Sequence, residues 1–449
     1  MMKARCPRHW LTPALTWLML PVLMWGGALP CRSAFALLGD GEKAFGLDGS
    51  IRTLFFVLDR DGTYPFSGRN DIDGLSQTIL RLTASGRPAQ SLSYEVHWVQ
   101  SVTAATERIS GGSLLTVGNT STGNVLRYRV LDTSWTVLNE ERAFSTASMD
   151  RMNVKTSFGW GDVTLGRQAI TFGKTYFWNP LDVFFPFGSS QFDRDYKPGV
   201  DALRVDIPFG PFSGFNLVGA AGPKIGIGPG DIGGNDPEDA SWYGSALLGR
   251  LFANRWGWDF SLQAGKVFGG LQVGVGAVGD WGPVQIRAEG AQFLSMSSDP
   301  LPAPLQGDLF NNCFVGVIGL GHRFESGLSL DFEYLYNGSG DPNRLDAALV
   351  RTQFGASLQM SRHLTGLSAR YEFSPLVTGQ VALVNSLSDG SAQLQPLVNI
   401  SLANEMDLLI GMTLNFGPSP KSASGTLPAV QSEFGTIPDL FFLEWKYYF

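Results

Sequence analysis

The chain has little with which to do covalent chemistry. It holds four histidines and three cysteines in 449 residues, and only 16% of it is charged. Cys6, Cys31 and His9 all fall within the first 36 residues, which leaves Cys313 with no disulfide partner. No Cys/His spacing suits zinc, and no CxxCH segment could attach a haem. Beyond residue 36 no uninterrupted apolar run reaches the 18 or more residues of a spanning helix. Cations are also short. Without Lys3, Arg5, Arg8 and Arg32, the remaining 29 Lys and Arg face 40 Asp and Glu, a net charge of −11. That balance argues against nucleic acid as a partner.

What the chain does have is glycine (55 residues) and aromatic side chains (12%). The N-terminus has a basic start (Lys3, Arg5, Arg8), an apolar stretch from about Trp10 to Leu29 and an Ala34-Phe35-Ala36 cleavage site. These are the parts of a secretory signal peptide. The expected domains are therefore a cleaved signal, 1–36, and one mature unit, 37–449. Pro30 and Arg32 flanking Cys31 fit poorly with a lipoprotein site.

The last strand carries the clearest pattern. Phe441, Leu443, Trp445, Tyr447 and Phe449 alternate with Phe442, Glu444, Lys446 and Tyr448. Successive side chains of a strand point to opposite faces, so one face is apolar and aromatic and the other holds both charges. This segment resembles the C-terminal strand of Gram-negative outer-membrane barrels, which in that class is what the insertion machinery reads. The resemblance implies outer-membrane lipid and that machinery as partners.

The same alternation recurs in segments of roughly ten residues through the mature chain, as membrane strands require. Leu328, Leu330, Phe332 and Tyr334 alternate with Ser329, Asp331 and Glu333; Leu367, Ala369, Tyr371 and Phe373 alternate with Ser368, Arg370 and Glu372. A soluble sheet protein with these faces would expose an apolar band far beyond what a monomer tolerates. Only helices and closed barrels satisfy backbone polar groups inside lipid. The expected fold is thus all-β: a transmembrane, antiparallel, up-and-down barrel of about 18 strands, within a range of 16–20.

Candidate strands cover 47–59, 74–86, 91–104, 125–139, 148–159, 162–171, 199–208, 212–222, 241–253, 256–267, 271–281, 283–294, 313–325, 327–337, 348–360, 364–374, 376–387, 391–402, 405–417 and 438–449. These are more than 18, so two are expected to be loop or plug. Turn chemistry marks Gly159-Trp160-Gly161, Gly282-Pro283 and Ser326-Gly327. Long connections are expected outside and short ones inside, yet counting back from the last strand puts 295–312 on the inside. Either a strand is missing from the list or one in it is not a strand.

The segment Asp162-Val-Thr-Leu-Gly-Arg-Gln168 runs through Phe177-Trp-Asn-Pro-Leu-Asp-Val-Phe184 to Lys197-Pro-Gly-Val-Asp-Ala-Leu-Arg204. It is similar to porin-like outer-membrane barrels of proteobacteria related to the alginate-export group, where a GRQ strand end, a WNP-D-F loop and a KPGVDALR strand start recur in this order. The connection 172–198 mixes charge with Tyr176, Phe177, Trp178, Phe184, Phe185 and Phe187, too aromatic for disorder. Long loops in compact proteins are commonly functional. A loop folded inward would form a constriction, with Arg167, Lys174, Asp182, Asp193, Arg194, Asp195, Lys197 and Arg204 as candidate pore residues. The alternative for these charges is a set of rim ion pairs that hold the loop. Arg167 shares a strand face with Val163 and Leu165, which would aim it at lipid. A charge at the lipid midplane costs roughly 2–4 kcal/mol, so displacement to the rim or inward is expected.

Asp59, Asp61, Asp71 and Asp73 place oxygen ligands near the first long connection, weak candidates for Ca²⁺ whose spacing is not that of an EF-hand. A solvated acidic loop explains them as well. A barrel enzyme would need a nucleophile within reach of a base, and none of His97, His322 or His363 has that context.

These features point to no enzyme and no cofactor. They point to a Gram-negative outer-membrane channel for passive diffusion of small hydrophilic or amphipathic solutes, with a weak preference for cations. The alternatives are a specific exporter of an acidic polysaccharide, which calls for an excess of inward Arg and Lys, and a closed-lumen barrel with a structural or enzymatic role. Association of copies is open, since no residue points to it.

Overall fold

The computed structural model describes residues 38–39, 44–59, 72–106, 127–189, 191, 194–223, 240–301, 303, 305–421 and 429–449. The expected leader with Cys31 lies outside the described residues, as do Asp61, Asp71 and Asp193.

Eighteen strands among these residues form the wall. In chain order they are β1 (Gly46–Asp59), β2 (Ile72–Ala89), β3 (Leu92–Ala105), β4 (Ala143–Phe158), β5 (Gly161–Gln168), β6 (Val200–Gly210), β7 (Ser213–Ala220), β8 (Ala246–Arg255) and β9 (Trp258–Val267). There follow β10 (Gly270–Trp281), β11 (Val284–Ser295), β12 (Cys313–Arg323), β13 (Ser329–Asn337), β14 (His363–Ser374), β15 (Val377–Ser386), β16 (Ala392–Ala403), β17 (Met406–Phe416) and β18 (Asp439–Tyr448). Each pairs antiparallel with the next, and β18 pairs with β1, with Tyr447 opposite Ile51, so the sheet closes on itself. Gly49 and Phe449 complete the seam by exchanging both backbone hydrogen bonds, 2.7 and 2.9 Å long. The Phe449 ring lies 2.3 Å from where a Cβ on residue 49 would stand, so glycine is required for this approach.

Side-chain alternation sorts the wall as the sequence pattern demands. On β18, Phe442 and Glu444 are buried in the barrel while Phe441 faces out. Outward Leu165, Val275 and Ile318 keep 64%, 56% and 54% of their surface exposed, a distribution that only an apolar solvent stabilises. On the outer face Trp445 stacks on Tyr447, and Tyr447 on Phe449.

Two expected strands are absent from the wall. Residues 348–360 do not form one: Leu345–Gln353 is an α-helix, α1. Leu345, Ala348 and Leu349 repeat at the three- and four-residue spacing of a helix face, and the Ala- and Leu-rich run has helical propensity that the apparent alternation around Val350 obscured. Of 125–139, only Ser134–Asn139 is extended, pairing with the outer end of β4 rather than crossing. Removing both repairs the sidedness. The eight connections at one end are now all short, from two to five residues, and 296–312 moves to the opposite end with every long connection. The turn after β8 comes later than the pattern suggested: β8 runs on to Arg255, and Trp256 and Gly257, at φ 55° and 77°, form a two-residue hairpin turn instead of starting β9.

Candidate functional site

The connection between β5 and β6, residues 169–199, folds into the barrel. Backbone N–H groups taken away from water need acceptors, and wall carboxylates supply them. Glu289 of β11 accepts from the N–H groups of Lys174 (2.5 Å) and Leu181 (3.2 Å). Glu333 of β13 accepts from those of Tyr176 (2.5 Å) and Phe177 (2.7 Å). Amides from β9 and β10 treat the carbonyls likewise: Gln263 donates to Leu181 O (2.9 Å) and Gln272 to Pro180 O (3.2 Å). The Tyr176 hydroxyl reaches Ser368 of β14 and Gln380 of β15, both at 3.0 Å. Phe177 and Trp178 are buried against Leu335, Leu364 and Val384 of the wall, each such side chain contributing roughly 1.5–3 kcal/mol. The wall makes room with glycine. A Cβ on Gly366 would lie 2.6 Å from the Phe177 ring, and one on Gly274 would lie 2.4 Å from Leu181.

The returning limb of the loop anchors on the opposite wall. Asp195 lies 2.6 Å from Lys446 of β18 and 3.5 Å from Arg52 of β1. Tyr196 is clasped by two guanidinium groups, those of Arg81 and Arg151, at 3.3 and 4.5 Å from its ring centre. Its hydroxyl meets His97 Nδ1 at 3.1 Å, and burial pushes its pKa above the ordinary phenol value.

Among the described residues, those of the loop bond to the wall from β9 to β15 and again from β18 to β4, and none of them bonds to β16 or β17. In that sector is a cavity of about 280 Å³. Four charges line it: Arg370 of β14, Asp407 of β17, Lys446 of β18 and Asp195 of the loop. Between them stand the neutral Thr378, Gln380 and Asn399, over Leu397 and Leu409. This is where a solute could pass the loop.

The expected pore residues are placed as follows. Asp195 faces the passage. Lys197 and Asp182 form a buried pair 2.5 Å apart inside the loop, where burial pushes the Asp182 carboxyl up against the opposing pull of the ammonium. Arg194 turns back to donate to Tyr176 O (2.6 Å), and Lys174 pairs with Asp259 of β9 (3.0 Å). Arg204 pairs with Asp206 (2.8 Å) on the inward face of β6. Arg167 lies on the outward face at the rim of β5. It pairs with Asp201 of β6 (2.7 Å) and donates to Leu131 O (2.7 Å) and Met149 O (3.0 Å). Segment 127–133 therefore roofs the pair, with Val130 N–H and Leu131 N–H donating to Asp201. The passage charges Asp407 and Lys446, and Arg52 beside them, were not singled out, although their inward phase is readable from the alternation of their strands. Of the Ca²⁺ candidates, Asp73 accepts from Thr106 Oγ1 (2.5 Å), Asp59 ends β1 exposed, and no group of three or more metal-binding side chains occurs among the described residues.

Neither a family model nor a curated protein matches the sequence. Solved structures do match in shape. Pseudomonas aeruginosa OccK8 (OprE) is 10% identical, with a TM-score of 0.53 over 92% of this chain and 99% of that one. Acinetobacter baumannii OccAB2 is 8% identical, with a TM-score of 0.52 and the same coverage. Pseudomonas aeruginosa OccK5 (OpdH) is 9% identical, with a TM-score of 0.50 over 90% and 97%. The likeness is one of fold, a closed antiparallel barrel. A relation to the alginate-export group finds no support in these comparisons.

Proposed function

We propose that the chain is a Gram-negative outer-membrane channel for passive diffusion of small hydrophilic or amphipathic solutes, exported by its leader and inserted through β18. The observation that carries this reading is the inward loop. It is bolted to the wall on two sides, and beside it lies a polar, charge-lined cavity. Barrels of 16–18 strands enclose an aqueous lumen, and a folded-in loop is what gives such a lumen selectivity. The equal number of cations and anions on the passage does not suit an exporter of a polyanion. No catalytic step is part of the reading: His97 is held between Glu95 (2.6 Å) and Tyr196, His322 contacts Pro283 O (2.6 Å), and His363 contacts Tyr334 (2.7 Å). Liposomes containing the purified protein should swell in isosmotic small sugars at rates that fall with solute size. Rates equal to those of protein-free liposomes would refute the reading.

A further inference from the structure

Of the four charges on the passage, Lys446 and Asp195 satisfy each other at 2.6 Å. The side chains of Arg370 and Asp407 have no hydrogen bond or ion pair among the described residues. Asp407 stands cross-strand from Glu444's neighbour Lys446, whose ammonium is turned to the loop instead. Other inward ions near this sector are paired, as Arg323 with Glu372 (3.2 Å) and Arg287 with Asp331.

The spacing of the two unpaired ions is set by strand register. Arg370 is level with Gln380, Leu397 and Gly411 on the next three strands, and Asp407 lies four residues along β17 from that line. Their backbones are therefore about 14 Å apart across the strands and about 13 Å along them. Their side chains shorten this from both ends, but the gap stays wider than the two charges of an α-amino acid can bridge. Leu397 and Leu409 lie between, flanked by the hydrogen-bonding side chains of Thr378 and Asn399.

Resting on the channel reading, we propose that Arg370 and Asp407 form a binding site for elongated zwitterions. The carboxylate of the solute pairs with Arg370, its ammonium with Asp407, and its apolar body lies over Leu397 and Leu409. Such a solute carries no net charge into the passage and satisfies both unpaired groups together, where a simple anion or cation satisfies one.

The test is block of ionic current through the purified protein in a planar bilayer by 8-aminooctanoate, with glycine, octanoate and octylamine as controls. The long zwitterion should block at lower concentration than any control. Arg370→Gln and Asp407→Asn should each weaken its block, read as the fraction of that variant's own open-channel current, roughly tenfold, a loss of about 1.4 kcal/mol. The charge-exchanged double variant, Arg370→Asp with Asp407→Arg, should recover the block, because the solute can bind reversed. Equal block by glycine or octanoate, or block indifferent to both substitutions, would overturn the site and leave the channel standing. A folded protein that passes no current would overturn the channel as well.

Discussion

Asp195 and Lys446, 251 residues apart in sequence, meet at 2.6 Å where the inward loop touches the last strand. Asp195 is 53% exposed, so the contact is worth at most about 1 kcal/mol to the fold. Its consequence is electrostatic: the loop carboxylate joins Glu444 of the wall in offsetting the charges of Lys446 and Arg52 at the edge of the passage.

Asp195→Asn should therefore leave thermal stability nearly unchanged and shift ion selectivity toward anions. The reversal potential in a salt gradient reads this directly. A potential identical to that of the wild type would place Asp195 away from the conduction path.

The loop should loosen when its wall carboxylates are lost. Glu333→Ala leaves the N–H groups of Tyr176 and Phe177 without acceptors, each costing on the order of 1–3 kcal/mol. Larger, noisier single-channel currents and new protease cleavage within 172–198 are expected. Glu333→Gln, which keeps an acceptor oxygen, should show a milder form of the same change. Wild-type currents from the alanine variant would mean that the loop is held by its aromatic contacts alone.

The rim pair on the outer face predicts an effect of a different kind. Arg167 and Asp201 are about 5% and 7% exposed, and breaking such a pair by Arg167→Ala should cost roughly 3–5 kcal/mol. Because segment 127–133 is tied to both residues, trypsin should gain access to Arg129. Conductance should not change, since the pair lies outside the lumen. Altered selectivity in this variant would contradict the placement.

A pH dependence follows from Glu433, in the long connection before β18. Its carboxyl accepts from the N–H groups of Met360 (3.2 Å) and Ser361 (2.5 Å), yet burial pushes its pKa from 4.5 to about 7. Between those values the folded chain holds more protons than the unfolded one, so stability is full below pH 4.5 and falls as pH rises to 7. The loss is about 3 kcal/mol across the window. Glu433→Gln should flatten the melting temperature between pH 4.5 and 7.5 relative to the wild type; an unchanged slope would remove Glu433 as its cause.

Much of the wall was legible because period-two alternation is a local signal. The final strand alone, with Trp445 and Tyr447 out and Glu444 and Lys446 in, gives the phase of its neighbours. Helix α1 was not legible, because Val350, Thr352, Phe354 and Ala356 also alternate, and only burial of Leu345, Ala347 and Ala348 under the outer loops decides between the periods. The aromatic loop announced itself as a constriction, but its partners did not. Nothing near Glu289 or Glu333 in sequence indicates that each accepts backbone N–H groups more than 100 residues away. For the same reason Lys197 and Asp182 looked like pore charges, whereas they form an internal cross-link of the loop.

The central claim, that the barrel keeps a water-filled path beside its inward loop, is tested most directly by single-channel recording of the detergent-folded protein in planar bilayers. Discrete, ohmic current steps are the expected result. Protein that is inserted and β-folded but electrically silent would contradict the account.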